Sequence, residues 1–261
     1  MDLGLEGRRA LVLSAGGGIG SAVAVALARE GAELFLADIN EGALAAAVRR
    51  VEDEGGVAHS YVFDLASPEQ TSEAMSKMLS AAASIDILFN NTGGPAPGPA
   101  DGQPRESWEK VFGAMVLPVI AITDRVLPGM REKGWGRIIT TTSSGVVAPI
   151  ANLGLSNTAR LSLLGWSKTL AKDVARDGVT VNVLVPGRIG TARTRFLDGV
   201  KASREQRDVS LVELESAASI PIGRYGRPEE YADVATFLAS EKASYITGTV
   251  VRVDGGLIQS I

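Results

Sequence analysis

The stretch Ser14-Ala15-Gly16-Gly17-Gly18-Ile19-Gly20 constrains this chain more than any other. It follows Arg9-Ala10-Leu11-Val12-Leu13, a short apolar run of the kind that a buried parallel strand shows. It precedes Ser21–Arg29, which is alanine-rich and helical by propensity, and Gly31 suits the end of that helix. Strand, glycine turn and helix in this order can hold a pyrophosphate. The glycines let backbone approach the ligand, and the helix N-terminus offers free N–H groups and a favourable dipole. The strict G-x-G-x-x-G spacing is absent, so a plain turn stays open as an alternative.

The second strand, Glu33-Leu34-Phe35-Leu36-Ala37, ends at Asp38, eighteen residues beyond Gly20. A carboxylate at about that distance accepts hydrogen bonds from ribose 2′- and 3′-hydroxyls and repels a 2′-phosphate. The glycine loop holds no lysine or arginine. The pattern therefore favours NAD(H) over NADP(H), with a solvated strand-end aspartate as the plainer alternative.

Composition narrows the remaining classes. The 261 residues suit one α/β domain over 1–261, and 26 basic against 30 acidic residues leave a net charge of −4. No basic surplus points to nucleic acid. Cysteine is absent and His59 is the single histidine, so the expectation for metal is none. His59 falls in an expected strand, Val57–Phe63, where a surface or satisfied position is its plain role. The N-terminus lacks a signal-peptide core, and apolar runs such as Ala22–Ala28 are too short for a bilayer. A cytoplasmic protein without a membrane partner is the expectation.

Helical patterns at Glu41–Glu54 and Pro68–Ala82, the latter capped by Ser67, alternate with strands at Val57–Phe63 and Ser84–Phe89. The strands run into Asp64-Leu65 and Asn90-Asn91-Thr92-Gly93-Gly94. Such alternation with short joins predicts a Rossmann-like, doubly wound parallel sheet flanked by helices. The Pro/Gly-rich run Gly93–Pro104 is expected as a loop beside the site.

These residues resemble the classical short-chain dehydrogenase/reductase family, and closely its 3-oxoacyl carrier-protein reductase branch. The family's T-G-x-x-x-G-I-G element aligns with Leu13–Gly20, keeping Gly18-Ile19-Gly20 but replacing the opening Thr-Gly by Leu13-Ser14. Asp64 corresponds to the family's aspartate at the adenine ring, and Asn90-Asn91-Thr92-Gly93 to its N-N-A-G element. Pro186-Gly187-Arg188-Ile189-Gly190-Thr191 resembles the P-G-x-I-x-T segment at the nicotinamide. Ile220–Glu230, Phe237–Ser240, Tyr245–Gly248 and Val253–Gly256 follow the family pattern, and the match runs from about Leu5 to Gln259. The resemblance implies a seven-stranded sheet in a single domain. It implies cofactor contacts at Ser14, Gly16, Gly17, Gly18, Ile19, Gly20, Asp38, Asp64, Leu65, Asn90, Thr92, Gly93, Pro186, Gly187, Ile189 and Thr191.

The resemblance breaks at the chemistry. Family catalysis uses a tyrosine, a lysine four residues on, a serine thirteen residues before the tyrosine, and an asparagine on an earlier helix. Gly165-Trp166-Ser167-Lys168-Thr169-Leu170-Ala171 fixes the register, which puts Ser156 at the tyrosine position and Arg160 at the lysine position. Ser143 is retained and Met115 replaces the asparagine. No tyrosine lies between Tyr61 and Tyr225, and Lys168 is expected on a helix surface. Arg160 is expected to hold ribose hydroxyls, keep a positive charge at the nicotinamide, or clamp a substrate carboxylate or phosphate. Ser156 is a poor acid–base group whose hydroxyl falls short of a tyrosine's reach. The catalytic candidates are Ser143, Ser156 and Arg160. Arg188 and Arg193 are read as surface residues first, and as charge at the pocket mouth second.

The charged stretch of about 194–218, with Asp198 among alternating signs, reads as a solvated helix face where the family has its substrate lid. Long helices over about Glu106–Arg131 and Leu155–Arg176 resemble those that pair family subunits, which implies a homodimer or homotetramer. Three readings stay open. The first, favoured, is an NAD(H)-dependent ketone/alcohol oxidoreductase for a small molecule, with a rebuilt proton relay. The second is a non-catalytic nucleotide-binding homologue that assembles with a partner. The third is a dehydratase, isomerase or lyase in the same pocket.

Overall fold

Period-two alternation in the strands decides how the core is divided. In β1 (Arg9–Leu13), Ala10 and Val12 point to one face of the sheet while Leu11 and Leu13 point to the other. β2 (Glu33–Asp38) repeats this, with Leu34 and Leu36 on the first face and Phe35 and Ala37 on the second. Strands with apolar residues on both faces need helices on both faces, which is the parallel α/β solution. The computed structural model describes residues 2–261 and carries this out. Its seven strands add β3 (Ala58–Val62), β4 (Ile87–Asn90), β5 (Gly136–Thr141), β6 (Val179–Pro186) and β7 (Val250–Val253). They form one sheet in the order β3-β2-β1-β4-β5-β6-β7, every pair parallel.

α1 (Gly18–Arg29), α2 (Glu41–Asp53) and the late helix over Pro228–Ala239 cover the first face. α3 (Pro68–Ala82), together with helices over Leu117–Lys133 and Gly154–Val174, covers the second. Chain order reverses direction between β1 and β4, which opens a crevice at the strand C-termini.

The expected helix over about Glu106–Arg131 is two helices, α4 (Arg105–Met115) and α5 (Leu117–Lys133), divided at Val116. Pro118 has no N–H to offer the Ala114 carbonyl, so continuous hydrogen bonding fails there. Arg105–Lys133 nevertheless contains a window of mean hydropathy 1.6, long and apolar enough to cross a membrane, which corrects the expectation that apolar runs are too short. Half of that window is buried within the protein, as in the core helix of a folded domain. β4 begins later than expected: Ala83 turns the chain at φ +58, and the Asp86 carboxylate accepts from the Arg9 N–H at 2.9 Å. His59 is a satisfied strand residue whose Nε2 lies 2.9 Å from the Glu33 carboxylate.

Beyond β5 come α6 (Gly154–Val174), α7 (Ala192–Glu205), α8 (Val209–Ala218) and α9 (Pro228–Ala239). Lys168 on α6 donates to the Gly248 carbonyl at 2.7 Å, so it ties α6 to the approach of β7 rather than standing free.

Candidate active site

A cavity of about 1040 Å³ lies along the strand C-termini and is lined by residues of the glycine loop, of the segments after β2, β3, β4, β5 and β6, and of α4, α6 and α7. At one end stand the glycine loop, Asp38, Asp64 and Leu65; at the other stand Ser143, Ser156, Arg160 and Pro186–Thr191.

The glycine end is a bare backbone cradle. Gly17 precedes α1 with no side chain capping the helix, so the first-turn N–H groups of Gly18, Ile19 and Gly20 have no intrahelical acceptor. A Cβ on Gly18 would stand 2.8 Å from the Thr191 methyl, and one on Gly16 would stand 3.0 Å from Asp38 Oδ2. Glycine at these two positions therefore lets the loop pack directly against Asp38 and Thr191. Asp38 is held by its own neighbours: Oδ2 accepts from the Gly16 N–H at 2.9 Å and Oδ1 from the Asn40 N–H at 2.8 Å. Asp64 Oδ1 accepts from the Ala66 N–H at 2.8 Å. No lysine or arginine lines this end. The donor set, with uncapped N–H groups for a diphosphate and a fixed carboxylate for a ribose diol, fits a nicotinamide dinucleotide.

Ser14 takes the left-handed backbone conformation at φ +50. That region favours glycine, the residue the resemblance expects there. The Ser14 Oγ donates to the Asn91 carbonyl at 3.1 Å, which holds the strained turn to the end of β4.

Two expected contact residues do not reach the cavity. A Cβ on Gly20 would run into the Ser14 carbonyl, so this glycine serves close packing of α1 against the loop. Asn90 is fully buried behind the wall, with Nδ2 at 3.4 Å from both the Thr123 and Thr140 hydroxyls. Thr92 and Gly93 do line the cavity, and their carbonyls point at Arg160.

Arg160 is buried, and its guanidinium donates to three main-chain carbonyls: Thr92 at 3.1 Å, Gly93 at 3.0 Å and Thr141 at 3.4 Å. Burial first, and the Arg193 charge second, lower its pKa to about 10. It still carries its proton at neutral pH. Tyr231 on α9 backs the same strand end, its hydroxyl lying 3.1 Å from both the Thr141 Oγ1 and the Leu184 carbonyl. Its burial pushes the phenol pKa upward, and it does not line the cavity.

Ser143 leads into a short helical turn over Ser144–Val146 and accepts from the Gly145 N–H at 3.1 Å. Ser143 lines the cavity, and among the described residues its hydroxyl donates to no acceptor. Ser156, on the first turn of α6, is buried at the wall. Met115 is 3% exposed and packs with Val111, Val119, Leu155 and Ala159, giving an apolar wall where an asparagine is expected.

The composition of the segment at about 194–218 does not reveal how α7 is anchored. Asp198 is fully buried, not part of a solvated face, because it pairs with Arg188 and accepts from the Tyr225 hydroxyl at 2.9 Å. Arg188 and Arg193 both line the cavity, which corrects their reading as surface residues. Arg193 donates to the Pro95 carbonyl at 2.7 Å, tying the start of α7 across the cleft to the loop after β4. Lys110 on α4 also lines the cavity and gave no signal in a helix of ordinary charged composition.

A family model described as Enoyl-(Acyl carrier protein) reductase matches residues 14–258. The 3-oxoacyl-[acyl-carrier-protein] reductase of Thermotoga maritima is 34% identical over 256 residues, 97% of this chain and 99% of that protein. Among solved structures, L-sorbose reductase from Gluconobacter frateurii complexed with NADPH and L-sorbose superposes with a TM-score of 0.94 at 30% identity, over the whole of both chains. NAD+-bound xylitol dehydrogenase superposes with a TM-score of 0.89 at 29% identity, over 97% of this chain and 99% of that one.

Proposed function

We propose that this chain, which belongs to the classical short-chain dehydrogenase/reductase family, is an NAD(H)-linked ketone/alcohol oxidoreductase with a non-standard proton relay. The observation that carries the reading is Asp38, whose carboxylate is fixed by the Gly16 and Asn40 N–H groups beside a cation-free glycine cradle. The family's relatives include an NADPH complex and an NAD+ complex, so a nicotinamide cofactor follows from kinship while the choice of NAD rests on Asp38.

The cofactor, when bound, supplies or accepts the hydride. Gly16, Gly17, Gly18 and Ile19 would hold its diphosphate, Asp38 its adenosine ribose, Asp64 and Leu65 its adenine. Thr92, Gly93, Pro186, Gly187, Ile189 and Thr191 would hold its nicotinamide half. Ser143 Oγ, fixed by the Gly145 N–H, is placed to donate its proton to a substrate oxygen. Arg160 supplies a fixed positive charge that steadies negative charge developing on that oxygen. It does not give up its proton near neutrality, so the proton comes from water through Ser143 or from the substrate itself. Ser156 shapes the wall beside it. The chain segment of about 194–218, which holds α8 and all but the first two residues of α7, acts as the lid, tied just before its start by Arg193 to Pro95 and within it by Asp198 to Arg188 and Tyr225. We further read the protein as a homo-oligomer, since Leu117 on α5 and Leu161 on α6 are more than half exposed, and as cytoplasmic, by kinship with bacterial 3-oxoacyl-[acyl-carrier-protein] reductases.

One observation favours a non-catalytic, nucleotide-binding alternative: Arg160 is engaged by three carbonyls and Met115 closes the wall with apolar atoms. Calorimetric titration with NADH and NADPH, followed by a ketone and alcohol panel monitored by NADH absorbance, separates the readings. Preferential NADH binding with turnover that falls in Ser143→Ala supports the oxidoreductase. Binding without turnover above that variant supports the alternative.

A further inference from the structure

The charges that line the cavity are segregated by sign. The acidic residues, Asp38 and Asp64, stand at the ends of β2 and β3. The cations, Lys110, Arg160, Arg188 and Arg193, stand beyond β4, β5 and β6, with no aspartate or glutamate among them in the cavity lining. Two of the four already have strong partners. Arg188 is paired with buried Asp198, and Arg160 is spread over three carbonyls. The other two do not. Among the described residues, neither Arg193 nor Lys110 forms an ion pair.

Arg193 is the informative one. It is half-buried, and Nη2 makes its single hydrogen bond, to the Pro95 carbonyl. That bond places it two residues beyond the Thr92–Gly93 pair held by Arg160, so two guanidiniums grip one short loop segment from the same cavity. Burial lowers the Arg193 pKa, the mark of a cation removed from water without a counter-charge. A partly desolvated guanidinium with free N–H groups is a preformed fork for a carboxylate or phosphate.

We propose that the substrate of this site carries its own anionic group, a carboxylate or a phosphate, which is bound by Arg193 with Lys110 at the mouth of the cavity. The inference rests on the oxidoreductase reading above and names the substrate class for it. Arg193 is thereby a specificity-determining residue, whereas Arg160 stays a positioning and charge-bearing group. Arg193 offers the anion a bidentate fork, and exposed Lys110 adds positive charge to the same cavity lining. The same fork could instead meet the diphosphate of the cofactor, and the two sources are separable by experiment.

The test is calorimetric titration of the NADH-saturated protein with acetoacetate against methyl acetoacetate, and levulinate against methyl levulinate. Each pair differs in charge at nearly constant shape. If the protein binds no NADH, it is titrated without it, under the same expectation. At least one acid is expected to bind about tenfold or more tightly than its ester, the equivalent of one charge-assisted hydrogen bond. That preference is expected to vanish in Arg193→Gln, to shrink in Lys110→Gln, and to survive in Arg195→Gln, an exposed cation on α7 outside the cavity. Arg193→Gln is expected to lower acid binding more than NADH affinity, and NADH affinity is expected to be unchanged by Arg195→Gln. Lys110→Gln lies on the exposed surface and keeps the test valid if Arg193→Gln fails to fold. Equal binding of acids and esters overturns the proposal. So does a loss of NADH affinity in Arg193→Gln with the acid preference intact, which would assign the fork to the cofactor. NADH oxidation by an ester without acid preference leaves the redox reading standing and removes this one. Tight acid binding without NADH oxidation does the reverse.

Discussion

Arg160 donates from Nη2 to the Gly93 carbonyl at 3.0 Å, so the residue at the expected lysine position is bound into the loop that follows β4. The same nitrogen reaches Thr92, and Nη1 reaches Thr141 at the end of β5. A guanidinium can bridge two strand ends in this way because it presents five donors in one plane. An ammonium presents a single point.

Arg160→Lys is therefore expected to destabilise the fold. Loss of buried partners at two strand ends costs about 1–3 kcal/mol, read as a lower urea midpoint. The combined Ser156→Tyr/Arg160→Lys/Met115→Asn variant restores an acid–base group within the cavity. It is expected to raise ketone reduction by about 10²-fold, the lower range for general acid catalysis. A rebuilt variant that binds NADH but gains no rate would show that the proton step does not limit turnover.

The pH dependence follows from burial of the same residue. Burial, aided by Arg193, brings Arg160 down to about 10, well below the ordinary guanidinium value. The unfolded chain holds this proton more tightly than the folded one, so its contribution to stability rises with pH between those two values and is a constant cost below them. The charge itself is lost as pH rises through about 10. Affinity for NADH is thus expected to stay level through neutrality and to fall only in that alkaline range, as followed by NADH fluorescence. A half-loss near neutral pH would mean that another group governs binding.

Asp38→Ala removes both the acceptor for ribose hydroxyls and the anchor of Gly16 and Asn40. NADH binding is expected to weaken by about tenfold to a hundredfold, as for loss of hydrogen bonds to a charged group. NADPH binding should weaken less or improve, because repulsion of the 2′-phosphate is removed. Calorimetry with both cofactors reads the ratio directly.

Ser14 separates a hydrogen bond from a backbone conformation. Ser14→Ala loses the bond to Asn91 and keeps the left-handed φ of +50, so a loss of about 1 kcal/mol is expected. Ser14→Gly loses the same bond but relieves a left-handed cost of about 1 kcal/mol, so it should be nearly neutral. The order of the two in thermal unfolding is the check.

Asp198→Ala leaves Arg188 without its partner, and the Arg188 Nε is already buried without one. A loss of about 3 kcal/mol is expected, as for a broken buried pair. Arg188→Met/Asp198→Ala should cost less than the two single changes together. A denaturant-based double-mutant cycle that showed additivity would remove the pair from the anchoring of α7.

The order of the elements was legible in the residues themselves. Alternation of apolar strands with helical runs leaves few ways to bury both faces of a parallel sheet, and Pro68 after Ser67 marks a helix start whatever surrounds it. The cavity's glycine end was legible for a similar reason, since Gly16, Gly17 and Asp38 act through backbone spacing that is local in sequence. What tertiary structure alone decided is which charges are free. Asp198 and Arg188 sit in runs of ordinary surface composition, yet they meet in the interior with Tyr225, 27 residues on. Arg160 and Arg193 look alike in sequence, but one meets three carbonyls and the other a single carbonyl. Gly20 and Asn90 carry family signals, but they lie behind the wall they were expected to form. Desolvation and pairing depend on what the rest of the chain brings within a few ångströms, and no pattern along a single segment contains that distance.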